Sequence, residues 1–390
     1  MVKGTPGKNV ERILAISSLV LILVAGVLGF RREAEEVTNY LEGIVPENYR
    51  AEAIGGEQYA LYGEDKQAPD LFLSIESTSA YGGKMIVSVL VDSSGTIRDL
   101  KVGRHRETPS FLDKTERKGL RKSIIGKSCD DPFVAGEDVD AVSGATYTSE
   151  AIIRCAQMGS RRIAKDQLGW EIPESAVAAL EIGVPEISLI ILYVLALLGI
   201  YRITKYKKAL RWVTMLGGLA ILGFWFSVPL TLSRINIFLL GYFPDWHTQF
   251  FWYLLLGGFV LSILLTRKNI YCAWICPLGG LQECLGAVGG AKPRFSRKFN
   301  RIMTWIQRGV ALLAILLALY FRNPVQLNYE IFGVALSLTG ATYLFVMTGV
   351  FILASLFIRR PWCNYLCPIV PVADMLGFLH RKRQEQKASL

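Results

Sequence analysis

The chain has 390 residues, 52% of them hydrophobic, a mean hydropathy of +0.34 and a formal net charge of +10. That apolar content excludes an ordinary soluble enzyme and calls for several membrane spans. The lysines and arginines sit beside the apolar runs, which fits membrane topology and not nucleic acid; seven cysteines are too few for a disulfide scaffold.

The first apolar run is Ile13 to Phe30, with Lys3, Lys8 and Arg12 before it and Arg31 and Arg32 after it. A bilayer span needs about 20 apolar residues, so the run is long enough. It is long for a cleaved leader and lacks an A-x-A site near its end, so an uncleaved anchor is expected. Either way the segment that follows lies outside the cytoplasm. Three regions result: a tip and first span (residues 1–32), a polar domain (33–180) and a membrane half (181–390).

The polar domain begins with a short helical stalk, Glu33 to Leu41. Met85 to Asp92 reads as a strand, Asp92-Ser93-Ser94-Gly95 as a turn, and Thr96 to Gly103 as the partner strand of a hairpin. Leu112 to Ser123 has the look of a basic helix, and Glu150 to Asp166 has helical apolar spacing at Ile152, Ile153, Cys155, Ala156 and Met158. This is an α+β domain large enough for one core. Cys129 and Cys155 could pair outside the cytoplasm, but Cys155 on an apolar helix face fits a buried free thiol equally well.

Between the hairpin and the last helix lies Asp140-Ala141-Val142-Ser143-Gly144-Ala145-Thr146-Tyr147-Thr148. Ser143, Gly144 and Ala145 let the backbone approach a bulky ligand, and Thr146 then offers a hydroxyl. The same residues could be a glycine turn opening a helix, with threonines as caps. Around the motif stand Tyr81-Gly82-Gly83 and Glu107-Thr108-Pro109. Taken together, the Y-G-G turn, hairpin, E-T-P loop and D-x-x-S-G-A-T-x-T-S resemble the NqrC/RnfG-type FMN-binding domain. The resemblance implies FMN joined to Thr146 through a phosphoester. Glu107, Thr108, Asp140, Ser143, Gly144, Ala145, Tyr147 and Thr148 would lie about the flavin. It also implies a flavin transferase of the ApbE type as a transient partner.

Five more apolar runs follow: Ile187–Tyr201, Trp212–Leu232, Phe250–Leu265, Met303–Phe321 and Leu338–Ile358. The expected fold is therefore an extracytoplasmic α+β domain joined to a polytopic α-helical membrane domain of six transmembrane helices. Basic residues crowd alternate loops, at Arg202 to Arg211, Arg267 to Arg301, and Arg359 onward. The intervening loops hold only Arg234 and Arg322. By the positive-inside rule both termini are cytoplasmic. Trp246, Phe250, Phe251, Trp252 and Tyr253 read as an interfacial aromatic belt. Asp245 and His247 among them could accept protons at a quinol site.

The loops after the fourth and sixth runs repeat one pattern. Arg267-Lys268-Asn269-Ile270-Tyr271-Cys272-Ala273-Trp274-Ile275-Cys276-Pro277 matches Arg359-Arg360-Pro361-Trp362-Cys363-Asn364-Tyr365-Leu366-Cys367-Pro368. Each is a basic pair, an aromatic residue and C-x-x-x-C-P. Cysteines at i and i+4 share a helix face, and the proline would end or kink that helix and leave the second thiol accessible. Four thiolates can hold an iron–sulfur cluster or a closed zinc site; dithiol redox cycling is the other chemistry open to them.

FMN domain, membrane bundle and paired C-x-x-x-C-P motifs together resemble the NosR/NirI family of membrane flavoproteins. The chain stops about twenty residues after the second motif. It is therefore most similar to the shorter form encoded with reductive dehalogenases, the PceC/RdhC type. The resemblance implies a bacterial cytoplasmic-membrane protein carrying electrons from menaquinol to an extracytoplasmic reductase. Its partners would be the quinone pool, membrane lipid and that reductase, and not nucleic acid. A redox sensor or maturation factor for the reductase, or a thiol–disulfide carrier, are the alternatives. About 30 Å of hydrocarbon would separate an inner cysteine site from an outer flavin.

Overall fold

The computed structural model describes residues 6–38, 44–46, 48–63, 66–80, 83–103, 109–140, 142, 146–172, 180, 182–201, 206–244, 246–247, 249–291, 297–338 and 341–377. Helix α1 (Pro6–Thr38) carries the first apolar run and most of the expected stalk. The polar domain then builds a five-stranded antiparallel meander in sequence order: β1 (Tyr49–Gly55), β2 (Gln58–Gly63), β3 (Leu71–Ala80), β4 (Gly83–Asp92) and β5 (Ile97–Val102). The expected hairpin is β4–β5. Its tight turn is organised by Asp92, whose Oδ1 accepts from the Ser94 and Thr96 N–H groups, both at 2.9 Å, while Arg98 Nε reaches Oδ2 at 2.6 Å. Gly95 takes φ 77° there, in the left-handed region.

The first three strands are absent from the sequence-based expectation. β4 explains why the sheet needs them. Met85, Val87, Val89 and Val91 are fully buried on one face, while Ile86 packs on the other with Leu61, Leu73 and Ile75. A strand apolar on both faces must be covered on both. Helix α4 (Thr146–Asp166) covers the first face through Ile152, Cys155, Ala156 and Ile163. It lies so close that a Cβ on Gly159 would stand 3.0 Å from Val89 Cγ2. The basic stretch expected as one helix is two, α2 (Pro109–Arg117) and α3 (Leu120–Ile124), parted where Gly119 adopts φ 80°.

In the membrane half, four of the five runs form helices close to their expected bounds: α5 (Val184–Ile200), α8 (Phe250–Thr266), α10 (Arg297–Phe321) and α12 (Thr342–Phe357). Among the described residues two helices are long and apolar enough to cross a bilayer, over Ile13–Arg32 in α1 and Lys298–Phe321 in α10. Helices α5, α8 and α12 are apolar but have 17, 17 and 16 residues. At 1.5 Å per residue that is roughly 25 Å, short of the ~30 Å hydrocarbon core.

The run Trp212–Leu232 is not one helix. Helix α6 (Lys207–Gly217) passes into a π-helical turn, Gly218–Trp225. Ser227 then takes φ 52°, and α7 (Leu232–Leu239) starts afresh with Thr231 as its N-cap. Gly218 and Gly223 are why the widened turn is tolerated: Cβ atoms there would press into the Ile275 carbonyl and Pro277. The remaining pieces are α9 (Pro277–Gly289), α11 (Phe332–Ser337), α13 (Pro361–Tyr365) and α14 over residues 369–377. The aromatic belt is only partly a belt. Trp246 is exposed, but Phe251 and Trp252 are core residues, and Arg234 stacks on the Trp252 ring at 4.0 Å.

Candidate functional site: two redox modules

The flavin motif runs into a helix start. Thr146 is the first residue of α4, and a helix N-terminus is a favourable place for a phosphate. Thr148 and Ser149 are buried in that turn, and Ala151 and Ile152 anchor it to the sheet. The chain reaches the motif along a loop pinned by Cys129, Phe133, Val139 and Val142, all buried. Asp138 accepts from Lys127 Nζ at 2.8 Å and from the Phe133 N–H at 3.1 Å. Burial opposes its charge, yet those bonds hold its carboxyl below the usual range. Asp140 is exposed, and its N–H donates to Ser123 Oγ at 3.2 Å. Glu107, Thr108, Ser143, Gly144 and Ala145 lie outside the described residues, as do Tyr81 and Gly82. What is described of the motif is the start of α4 at Thr146 and the buried Val142, Thr148 and Ser149 on either side of it.

Cys129 and Cys155 are separate, free and buried. Desolvation pushes both thiols up to about 12, so they are inert core residues, not redox partners of the flavin.

The second module gathers both C-x-x-x-C-P motifs. Cys272, Cys276, Cys363 and Cys367 line one cavity of about 410 Å³. The local geometry differs from a simple helical pair. Cys272 sits in a π-helical turn, Tyr271–Ile275, and Cys276 is already extended at ψ 120°. Pro277 opens α9 instead of closing a helix, because a proline at the first helical position sacrifices no hydrogen bond. Cys363 lies in α13, and Cys367-Pro368 leads into α14 in the same way. The second cysteine of each pair is the less accessible one: Cys276 is 7% and Cys367 5% exposed, whereas Cys272 and Cys363 are half-buried. The expected accessible second thiol is therefore corrected; the proline turns it inward.

Hydrogen bonds hold this ring. Gln307 Nε2, from α10, donates to the Cys363 carbonyl at 3.1 Å and the Cys367 carbonyl at 2.8 Å. Gln282 takes the Trp362 N–H at 3.2 Å. Asn269 Oδ1 accepts the Cys272 N–H at 3.0 Å. Arg360 spans the two motifs, donating to the Cys272 carbonyl at 3.1 Å while its Nε stands 3.0 Å from Glu283 Oε1. Burial pushes all four thiols up, so thiolates there require compensating positive charge; Arg360 supplies part of it.

Among the described residues no group of three or more His, Cys, Asp or Glu side chains is placed to hold a single metal ion. The four cysteines share one cavity, and four thiolates are the ligand number of an iron–sulfur cluster. Leu230 and Phe332 also line the cavity, and the Tyr271 hydroxyl accepts the Leu230 N–H at 2.8 Å. Sequence reasoning missed Gln282 and Gln307; it picked out Arg360 only as part of the basic pair before the second motif.

His247 is half-buried against Trp246, with ring centroids 3.9 Å apart. Asp245 lies outside the described residues.

Comparison with known proteins agrees with both modules. The FMN-binding domain family matches residues 80–159, and the 4Fe-4S binding domain family matches 248–301 and 340–385, which include all four cysteines. The methylamine utilization ferredoxin-type protein MauN of Methylorubrum extorquens is 34% identical over 30% of this chain and 42% of its own length. Protein NirI of Paracoccus denitrificans is 26% identical over 46% of this chain and 29% of its own. The regulatory protein NosR of Stutzerimonas stutzeri is 28% identical over 28% of this chain and 16% of its own. The chain thus spans less than half the length of each of these relatives.

Fold and site define a two-module redox protein, one module for a flavin and one for an iron–sulfur group. More narrowly, the chain joins an FMN-binding domain to a 4Fe-4S binding domain and is similar over part of its length to NirI and NosR.

Proposed function

We propose that this chain is a membrane-bound electron-transfer flavoprotein, with FMN covalently held on Thr146 outside the cytoplasm and an iron–sulfur cluster on Cys272, Cys276, Cys363 and Cys367. Electrons come from a lipophilic quinol such as menaquinol and serve an extracytoplasmic reductase, for which a reductive dehalogenase is one candidate. An ApbE-type transferase attaches the flavin. The observation that carries this is the cavity lined by four cysteines in the same chain as a flavin module. Flavin and cluster would supply the chemistry of accepting electrons in pairs and passing them singly.

The chain's own residues do the rest. The first turn of α4 orients the flavin phosphate. Gln282, Gln307 and Arg360 set the cysteine ring and its charge. Large apolar surfaces support the membrane reading: the spanning window of α1 is only 11% buried and that of α10 only 33%. The six-span arrangement with both termini inside rests on the alternation of basic loops. Leu230 and Phe332 line the cysteine cavity; on the alternation of basic loops they lie near the outer end of the third run and between the fifth and sixth, which supports a path to the flavin shorter than the full hydrocarbon thickness.

The test is the full chain co-expressed with a flavin transferase. The tryptic peptide containing Thr146 should gain one FMN, and Thr146→Ala should abolish it. A menaquinol analogue should then bleach the cluster absorbance and the flavin in turn. A flavin that attaches but never turns over with quinol or any other donor refutes electron transfer and favours a regulatory role. Activity that survives Thr146→Ala but not Cys272→Ser points to thiol–disulfide chemistry.

A further inference from the structure

A second cavity, of about 310 Å³, lies between α1, α10 and α14. Its walls are mostly apolar, with Ile22, Leu312 and Val372 among them. One end is polar: Arg308 Nη2 pairs with Asp374 at 3.2 Å and its guanidinium lies 5.2 Å from the Trp305 ring centroid. Asp374 also lines the cysteine cavity. The same two helices form the partition between them. On α10, Thr304 and Gln307 face the cysteines while Trp305 and Arg308 face the groove. On α14, Ile369 and Val370 face the cysteines while Pro371, Val372 and Met375 face the groove. The groove and the cysteine ring are thus about one helix width, ~10 Å, apart.

We propose that this groove binds the electron-donating quinol, a two-electron, two-proton carrier with an isoprenoid tail, and that Asp374 accepts its protons. The inference deepens the electron-transfer function proposed above and rests on it. The apolar walls, open on two membrane-type helices, suit the tail. The Arg308–Asp374 pair suits a head with two oxygens that are hydroxyl when reduced and carbonyl when oxidised: the carboxylate takes a hydroxyl proton, and the guanidinium donates to the carbonyl. Oxidation of one quinol breaks two O–H bonds and releases two protons and two electrons. The electrons leave singly across the partition toward the iron–sulfur group on the four cysteines, which must pass the first one on to the flavin side before taking the second. The protons leave by Asp374, whose side chain is 51% exposed and so can hand them to water. Lys298 and Arg301 mark the same end of α10 as cytoplasmic. This places quinol oxidation next to the cysteines, and not at the aromatic loop of Asp245 and His247.

The experiment uses the full flavinylated chain in lipid nanodiscs with an azido-naphthoquinone carrying an isoprenoid tail. Photolabelling should fall on peptides covering residues 14–22, 305–315 or 371–375, and unlabelled menaquinone should compete. A Cβ on Gly309 meets nothing within 4 Å, so Gly309→Phe can enter the groove without a backbone clash; it should abolish the label while flavin and iron contents stay normal. Asp374→Asn should keep the label but slow quinol-driven bleaching of the iron–sulfur absorbance on the order of 100-fold, with dithionite-driven bleaching unchanged. Label elsewhere, label indifferent to Gly309→Phe, or displacement by excess phospholipid as readily as by menaquinone would each overturn the site. If a soluble donor bleaches both chromophores while the label misses the groove, the site fails and electron transfer stands. If the label lands here but no donor bleaches either chromophore, electron transfer fails and the binding site alone survives.

Discussion

Glu283 sits nearly two turns into α9 from the Cys276-Pro277 corner, and three arginines converge on its Oε1: Arg211 at 2.6 Å, Arg360 at 3.0 Å and Arg359 at 3.5 Å. The carboxylate is 6% exposed and Arg360 15%, whereas Arg359 is 63% exposed and contributes little. Each close pair is worth about 4 kcal/mol of gross attraction at an effective dielectric of 20. Desolvation offsets part of that, and losing one partner of a buried pair typically costs about 3–5 kcal/mol. Glu283→Gln should therefore destabilise the membrane half by about 3 kcal/mol and free Arg360 from its hold on the Cys272 carbonyl. For a region of this size that corresponds to roughly 6–12 °C. Melting of the iron–sulfur absorbance in detergent should move down by that amount, while flavin fluorescence, reporting the other module, stays put. Burial works against the Glu283 charge, but the Arg211 hydrogen bond and the Arg360 and Arg359 charges outweigh it and hold its carboxyl below the ordinary 4.5. Its contribution is present above that value and disappears as pH falls through the depressed one. The variant should be flat across that acid window. An unchanged iron–sulfur melt with wild-type acid sensitivity would refute this account of the junction.

Gly159→Val should cost about 1–3 kcal/mol, because Val89 and Glu76 already stand at 3.0 and 3.1 Å from where a Cβ would be; flavin fluorescence melting of the full chain is the readout, and no shift would contradict the close helix–sheet contact. Cys129 and Cys155, pushed up to about 12 by burial, should resist iodoacetamide at pH 8 in the folded protein and react fully once it is denatured. Cys272→Ser and Cys363→Ser should each remove iron and the associated absorbance, while Cys129→Ala and Cys155→Ala leave both intact. Iron retained in either serine variant would take that residue out of the ligand set.

Much was legible in the chain because the relevant signals are local. The β4–β5 hairpin follows from alternation and a D-S-S-G turn. The end of α4 at Asp166 and the bounds of α5, α8 and α12 follow from runs of apolar residues. β1, β2 and β3 were not read, since a meander strand is justified by what it covers, and only β4's two buried faces reveal that need. The break at 226–231 was likewise missed: hydropathy reads Trp212–Leu232 as one run and cannot show the widening at Gly218, although Ser227, Pro229 and Thr231 sit where the helix stops.

By itself the sequence determined the two kinds of module: an FMN-binding domain around the S-G-A-T motif, and a 4Fe-4S binding domain that holds two C-x-x-x-C-P motifs. Residue type and short-range spacing are enough for that. The tertiary structure alone decided that the four cysteines meet. Residues 272 and 367 are almost a hundred positions apart, and only the packing of α9, α10, α13 and α14 puts their side chains around one cavity. The same packing turned Cys276 and Cys367 inward, recruited Gln307 and Arg360 from other elements, and set an apolar groove on the far side of a shared wall. Such placement depends on which faces meet in space, and no local pattern encodes it.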